Sequence, residues 1–176
     1  MPVKYQQGVG LLEVLVALLL LAIGVLGFVG LQLRAVEATS EGFNRIQAMN
    51  IARDLAEKMR MNNSTTALAA YKTNLASTTN QATSGSKCYT GFCTPTEKAV
   101  FDVHEASVQA TSAGMTLNMI TCPGTANGRR CIYVAWGKTD PVDTTATTTG
   151  HTACTTSSSS SFSYNDSSTC VVMETY

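Results

Sequence analysis

The sequence has few of the residues from which catalytic and metal sites are usually built. Two histidines and one tryptophan occur in 176 residues, and no two cysteines have the C-x-x-C spacing. A structural zinc site normally needs closely spaced cysteines or histidines, so zinc is a weak interpretation, and no cofactor is expected. Neither His104 nor His151 lies near an evident Ser or Cys nucleophile in the sequence, so catalysis has little support. The formal net charge of zero gives no global attraction to nucleic acid, and direct nucleic-acid binding is not expected.

Charge is also absent from a run of eighteen residues, 14–31, near the N-terminus. That length is about the minimum for a membrane-spanning helix. Glu13 stands at the start of this run, where a carboxylate costs roughly 2.5–3.5 kcal/mol on insertion scales. We therefore expect Glu13 to have a function and a positively charged partner at membrane depth. A cut after Gly8 would leave a new ammonium on Val9, four residues from Glu13 and about one helical turn away.

All six cysteines follow the apolar run, and an even number on one side of it indicates disulfides formed in an oxidising compartment. Lys4 lies on the short N-terminal side, which the positive-inside rule keeps in the cytoplasm. Residues after about 34 are therefore expected in the periplasm or outside the cell. Six cysteines allow fifteen pairings. Proximity alone favours the three neighbouring pairs, which are Cys88–Cys93, Cys122–Cys131 and Cys154–Cys170.

The helix is predicted to continue beyond the membrane. Residues 32–61 contain no proline, and apolar residues recur there at helical spacing with charged residues between them. A helical spine over about 9–61 follows, and its amphipathic half implies a globular domain packed against it. Thr94-Pro95-Thr96-Glu97 has the pattern of a capping box with proline at the first helical position, which predicts a second helix over about 95–112. The Ser-, Thr- and Asn-rich stretch 64–86 is predicted to be mostly loop, with a short helix at 67–75.

The spacing of apolar residues changes from a helical to a strand-like period after this second helix. Alternation over 115–121 and the β-rich run 131–136 predict two paired strands, and 170–176 predicts a last strand. Trp136 is expected in the core of the sheet. The stretch 139–168 is dominated by Thr and Ser and is predicted to be a loop over the sheet. The fold class is therefore α+β, with a long N-terminal helical spine, a short helix and an antiparallel sheet.

The N-terminal residues resemble the class III leader of type IV pilins and pseudopilins. Residues 1–8 form a short, mildly basic segment ending in Gly8, and Glu13 is the fifth residue after it. The family usually has Phe where Val9 stands. Further stretches are similar to the PilV minor pilins, and these are 13–19 with 22–24, 30–32, 52–62 and 132–136.

This resemblance implies the pilin fold and a division of the chain. Residues 1–8 would be the leader, 9–33 the membrane and filament-core half of the helix, and 34–62 its amphipathic half. Residues 63–176 would be a periplasmic head that carries the disulfides. Prepilin peptidase would cut between Gly8 and Val9, Val9 would become the N-methylated N-terminus, and Glu13 would be the assembly contact.

The resemblance also implies a function, which is a non-enzymatic minor pilin that helps to start pilus assembly, in a tip complex. The implied partners are other minor pilins, the major pilin, prepilin peptidase, the inner membrane before assembly, and a tip adhesin. A type II secretion pseudopilin is the alternative within the class. An anchored periplasmic enzyme or binding domain is the alternative from another class. A cleaved secretory signal and a plain membrane anchor are the simpler interpretations of the N-terminus, but they explain neither Gly8 nor Glu13.

Overall fold

A computed structural model describes residues 10–85, 87–125, 128–158 and 161–175. The predicted long N-terminal helix is confirmed as α1, Leu11–Met61. The chain divides into two compact units, Met1–Gly42 and Phe43–Tyr176. The described part of the first unit is helical from Leu11 onward, and the second unit holds all the other elements.

Among the described residues of the second unit, four shorter helices follow α1, which are α2 (Thr65–Leu75), α3 (Thr78–Gln81), α4 (Lys87–Thr90) and α5 (Pro95–Ser112). The predicted helix over 95–112 is confirmed. The side-chain oxygen of Thr94 accepts a hydrogen bond from the Glu97 N–H at 3.3 Å, and the Glu97 carboxylate accepts one from the Thr94 N–H at 2.9 Å. These bonds satisfy backbone donors that the first turn of a helix otherwise leaves free.

The short helix predicted at 67–75 is confirmed as α2, but the prediction that the rest of 64–86 is mostly loop was wrong. Two serines of this stretch act as N-caps. Ser64 Oγ accepts from the Ala67 N–H at 3.3 Å, and Ser77 Oγ accepts from the Asn80 N–H at 3.4 Å. Ser and Asn favour loops and helix starts through the same side-chain hydrogen bonds to the backbone. Composition alone therefore does not distinguish a loop from a run of short capped helices.

In the part of the chain that the structure describes, six strands, β1–β6, form two three-stranded sheets. They are β1 (Met115–Thr121), β2 (Arg130–Trp136), β3 (Thr139–Asp143), β4 (Thr152–Ser158), β5 (Ser161–Tyr164) and β6 (Cys170–Thr175). The first sheet has the order β1-β2-β6 and is antiparallel throughout, with Met115 opposite Trp136 and Ala135 opposite Cys170. The three strands predicted from alternation are therefore confirmed.

The second sheet has the order β3-β4-β5, and it lies where a loop over 139–168 was predicted. That prediction was wrong. Strands β3 and β4 pair in parallel, whereas β4 and β5 pair antiparallel. Threonine is β-branched and favours strands, so a Thr-rich segment is compatible with a sheet once partners are present.

The first sheet separates two apolar clusters of the second unit. Because side chains alternate along a strand, β2 buries Ile132, Val134 and Trp136 on one face and Cys131, Tyr133 and Ala135 on the other. The larger cluster joins the first face to helices α1, α2 and α5. Its α1 members are Ala48, Ile51, Ala52, Leu55 and Met59.

Candidate functional site

The first part of α1 is apolar and exposed. Its large side chains range from 43% exposed at Val29 to 80% at Leu11. An 18-residue window in α1 has a mean hydropathy of 3.0, and by length and composition α1 could cross a membrane. An apolar surface of this extent is stable only under lipid or protein. The segment is therefore the first candidate for a functional surface.

Glu13 lies in the first turn of α1. Its backbone N–H donates to the carbonyl oxygen of Gly10 at 2.9 Å. No other charged residue occurs in the sequence between positions 10 and 33. A carboxylate is favoured at a helix N-terminus because the helix dipole is positive there. Gly8 and Val9 lie outside the described residues, so the cleavage and the contact of Glu13 with a Val9 ammonium stay predictions.

The cysteines are joined as the three neighbouring pairs. The Cα–Cα distances are 5.2 Å for Cys88–Cys93, 4.9 Å for Cys122–Cys131 and 5.8 Å for Cys154–Cys170. The first pair closes the loop between α4 and α5, and the second connects the residue after β1 to β2. The third joins β4 to β6 and therefore links the two sheets. Covalent cross-links of this kind constrain the unfolded chain and thereby stabilise the fold.

A buried polar network in the second unit was missed by the sequence analysis. Tyr71 and Asp102 have no exposed surface, and Tyr71 Oη donates to Asp102 Oδ2 at 2.6 Å. Lys98 Nζ forms an ion pair with Asp102 Oδ1 from one turn earlier on α5. Burial, followed by the hydrogen bond to Asp102, raises the pKa of Tyr71 well above its usual range. The i,i+4 spacing of Lys98 and Asp102 is a sequence signal for the ion pair, but nothing local points to Tyr71.

Two carboxylates of β3 organise the Thr-rich region. Asp140 Oδ2 accepts hydrogen bonds from the N–H groups of Thr147, at 2.7 Å, and Thr148, at 2.6 Å. Asp140 Oδ1 lies 2.7 Å from His151 Nδ1. Burial by itself would raise the pKa of Asp140, but these hydrogen bonds outweigh it and lower the pKa to about 2. Asp143 Oδ1 accepts from the hydroxyl of Thr155 on β4 at 2.7 Å.

The other candidate residues each make contacts of their own within the fold. His104 Nδ1 lies 3.2 Å from the carbonyl oxygen of Gln81, and His151 is bound to Asp140. Trp136 is 6% exposed and belongs to the larger apolar cluster, as predicted. In the part of the chain that the structure describes, no group of three or more His, Cys, Asp and Glu residues could hold a metal ion. These positions are accounted for by folding contacts.

Comparison with known families adds to this geometry. Residues 3–29 match the prokaryotic N-terminal methylation motif, and residues 30–104 match the Tt1218-like family, described as type IV pilin Tt1218. Together the matches support a type IV pilin with a class III signal. The observed long helix and small sheet domain are consistent with the pilin fold. No curated protein and no solved structure matches the chain.

The family matches give a meaning to the exposed helix. A pilin with this motif is processed by prepilin peptidase and assembles with other pilins, and the family is structural and not enzymatic. The motif and the apolar helix fit a pilin that is anchored in the inner membrane before it joins a pilus. The match to the methylation motif, residues 3–29, therefore includes Glu13 and most of the exposed apolar part of α1.

Proposed function

We propose that this protein is a PilV-like minor pilin that helps to start pilus assembly as part of a tip complex. Prepilin peptidase removes residues 1–8, and Val9 becomes the methylated N-terminus. The mature subunit then leaves the inner membrane for the pilus, with its disulfide-bearing head on the periplasmic side. Other minor pilins, the major pilin and a tip adhesin are its proposed partners.

The observation that carries this proposal is the lone carboxylate at the start of an exposed apolar helix. Glu13 directly precedes eighteen uncharged residues, and the large apolar side chains of this segment are exposed. A simple anchor gains nothing from a carboxylate there, because the charge opposes insertion. In a subunit that packs among other helices, the same carboxylate favours the correct position, because it pairs only with an ammonium placed at the right depth. The PilV-like stretches 52–62 and 132–136 favour a minor pilin among the subunits of this family.

Glu13→Gln separates an assembly contact from a passive anchor. We expect the variant to be made, inserted and cleaved, yet to enter pili poorly, because its neutral side chain no longer pairs with the Val9 ammonium. Loss of one partner of a charge pair in a low-dielectric site costs about 3–5 kcal/mol. The measurement is the ratio of this protein in sheared pili to that in membranes.

Glu37→Gln is the matched control for this experiment. Glu37 lies on the same helix, its side chain is 73% exposed, and it pairs with Arg34 at 3.2 Å. Exposed pairs of this kind contribute little, so the control should enter pili as the wild type does. Equal pilus-to-membrane ratios for wild type and Glu13→Gln, with normal piliation, would remove the assembly role of Glu13.

A type II secretion pseudopilin would share the N-terminal half of the chain. The disulfide-bearing C-terminal part favours the pilus subunit. Mass spectrometry of sheared pili distinguishes the two, because a pilus subunit is recovered there with an N-terminus at methylated Val9. An anchored periplasmic enzyme or binding domain would instead remain in the membrane fraction and retain residues 1–8.

A further inference from the structure

One disulfide differs from the other two in its accessibility. Cys88 and Cys93 are partly exposed, whereas the other four cysteines are at most 6% exposed. The residues enclosed by this loop are also exposed, with Tyr89 at 62% and Phe92 fully exposed. Thiol–disulfide exchange requires that a thiolate reach a sulfur atom, so access decides which disulfide reacts first. The loop is thus the accessible redox group among the three disulfides.

The two ends of this loop are held by contacts other than the disulfide. On the N-terminal side, the Tyr89 ring packs edge-on against Phe101 with centroids 4.7 Å apart, and its hydroxyl donates to Glu105. The Cys88 N–H donates to the carbonyl oxygen of Gly85 at 3.1 Å. The ring contact therefore places α4 against α5 without help from the sulfur atoms.

On the C-terminal side, the capping box of Thr94 and Glu97 fixes the start of α5. The Asn62 side chain also donates to the carbonyl oxygen of Pro95 at 2.8 Å. Since both ends are anchored, breaking the sulfur–sulfur bond releases only the short stretch 91–92, between the end of α4 and Cys93. The sequence separation of 5 closes the smallest loop of the three disulfides, so its opening relaxes the unfolded chain least.

We propose that Cys88–Cys93 is a thiol-exchange site, opened by a dithiol reductant while the two buried disulfides stay closed. One thiolate of the reductant attacks Cys88 Sγ, a mixed disulfide forms there, and Cys93 leaves as a thiolate. The second thiol of the reductant then attacks the reductant's own sulfur in the mixed disulfide. Cys88 is released as a thiol, Cys93 takes up a proton, and the reductant becomes a disulfide, so two electrons pass to the protein.

Cys93 can be reached from solvent. It lines an open cleft of about 360 Å³ together with Lys58 and Lys98, and these lysines are ion-paired with Asp54 and Asp102. The cleft therefore gives a thiolate access to this disulfide. The consequence of exchange is local, because Phe92 is held at the surface by the closed loop and becomes free to move when the loop opens.

The test is native reduction of the full-length protein in detergent micelles with graded dithiothreitol. Free thiols are trapped with iodoacetamide at intervals, and the modified cysteines are located by peptide mass spectrometry. We expect Cys88 and Cys93 to be modified at least about tenfold faster than the other four cysteines. Modification of all six at one rate, or resistance of Cys88 and Cys93, would overturn the proposal.

Chymotrypsin provides a second readout, because cleavage after Phe92 needs an extended, mobile backbone. Cleavage there should rise when wild type is reduced, while far-UV circular dichroism stays unchanged. The double variant Cys88→Ser/Cys93→Ser should be cut at Phe92 with or without dithiothreitol and should keep the other two disulfides. A double variant that fails to fold, or that resists cleavage as oxidised wild type does, would show that opening is not local and would refute the idea. Neither readout depends on pilus assembly.

Discussion

Tyr71→Phe tests the buried network of the second unit, because it removes one hydroxyl and keeps the ring. The lost bond is a 2.6 Å hydrogen bond to the carboxylate of Asp102, and both residues are fully buried. Hydrogen bonds to charged groups contribute about 1.5–3 kcal/mol. Lys98 remains bound to the other carboxylate oxygen, so the charge of Asp102 stays compensated. We therefore expect the free energy of unfolding to fall by about 2 kcal/mol, in the middle of that range.

Tyr89→Phe is the matched control, since Tyr89 also donates to a carboxylate, that of Glu105, but at an exposed position. Water can replace that bond, and no measurable change is expected. Urea unfolding of the full-length protein in micelles can be followed by the fluorescence of Trp136, the single tryptophan, which is 6% exposed in the same apolar cluster. An equal fall in the free energy of unfolding for both variants would refute the idea that burial makes the Tyr71 hydrogen bond the stabilising one.

Three further predictions concern other parts of the chain. Gly8→Phe should block the peptidase subsite, and the intact mass should then retain residues 1–8. The pKa of Asp140 is lowered from 3.8 to about 2 in the folded chain, so its stabilisation of roughly 2 kcal/mol is complete above about pH 4 and lost as pH falls through 2. Asp140→Asn should remove this part of the pH dependence in urea unfolding. Gly85→Ala should cost about 1–3 kcal/mol, because a Cβ would lie 2.6 Å from the Cα of Phe101, whereas Gly91→Ala meets nothing within 4 Å and is the control.

Local patterns explain which elements could be predicted from the sequence. The long helix needs only apolar periodicity and the absence of proline, and both are present over residues 32–61. The start of α5 is specified by four consecutive residues, from Thr94 to Glu97, whose mutual hydrogen bonds do not depend on the rest of the fold. The segments that form β1, β2 and β6 either alternate apolar and polar residues or are rich in residues that favour strands. These local patterns can be seen in the sequence whichever strands they later pair with.

The buried network could not be predicted in the same way. Asp102 and Tyr71 are 31 residues apart and belong to different helices, so no spacing rule brings them together. Lys98 and Asp102 have helical spacing, yet that spacing alone predicts an exposed pair. Asp102 is instead buried because α2 covers it, and α2 was expected only as a short helix within a loop. The helix that carries Tyr71 was predicted, but its packing against α5 was not, and that packing brings Tyr71 to Asp102.

The Thr-rich segment 139–168 shows a different limit. Its composition is typical of a loop, and the structure makes it a sheet because Asp140 and Asp143 supply acceptors to the strand and turn that follow. The hydrogen bond from Thr155 to Asp143 requires β3 and β4 to pair in parallel, and a parallel pair depends on a crossover connection that no local signal encodes. Cys154 then fixes β4 to the first sheet through Cys170. The pairing of these two cysteines follows from their proximity in the sequence, but the sheet that makes them neighbours in space is a tertiary property.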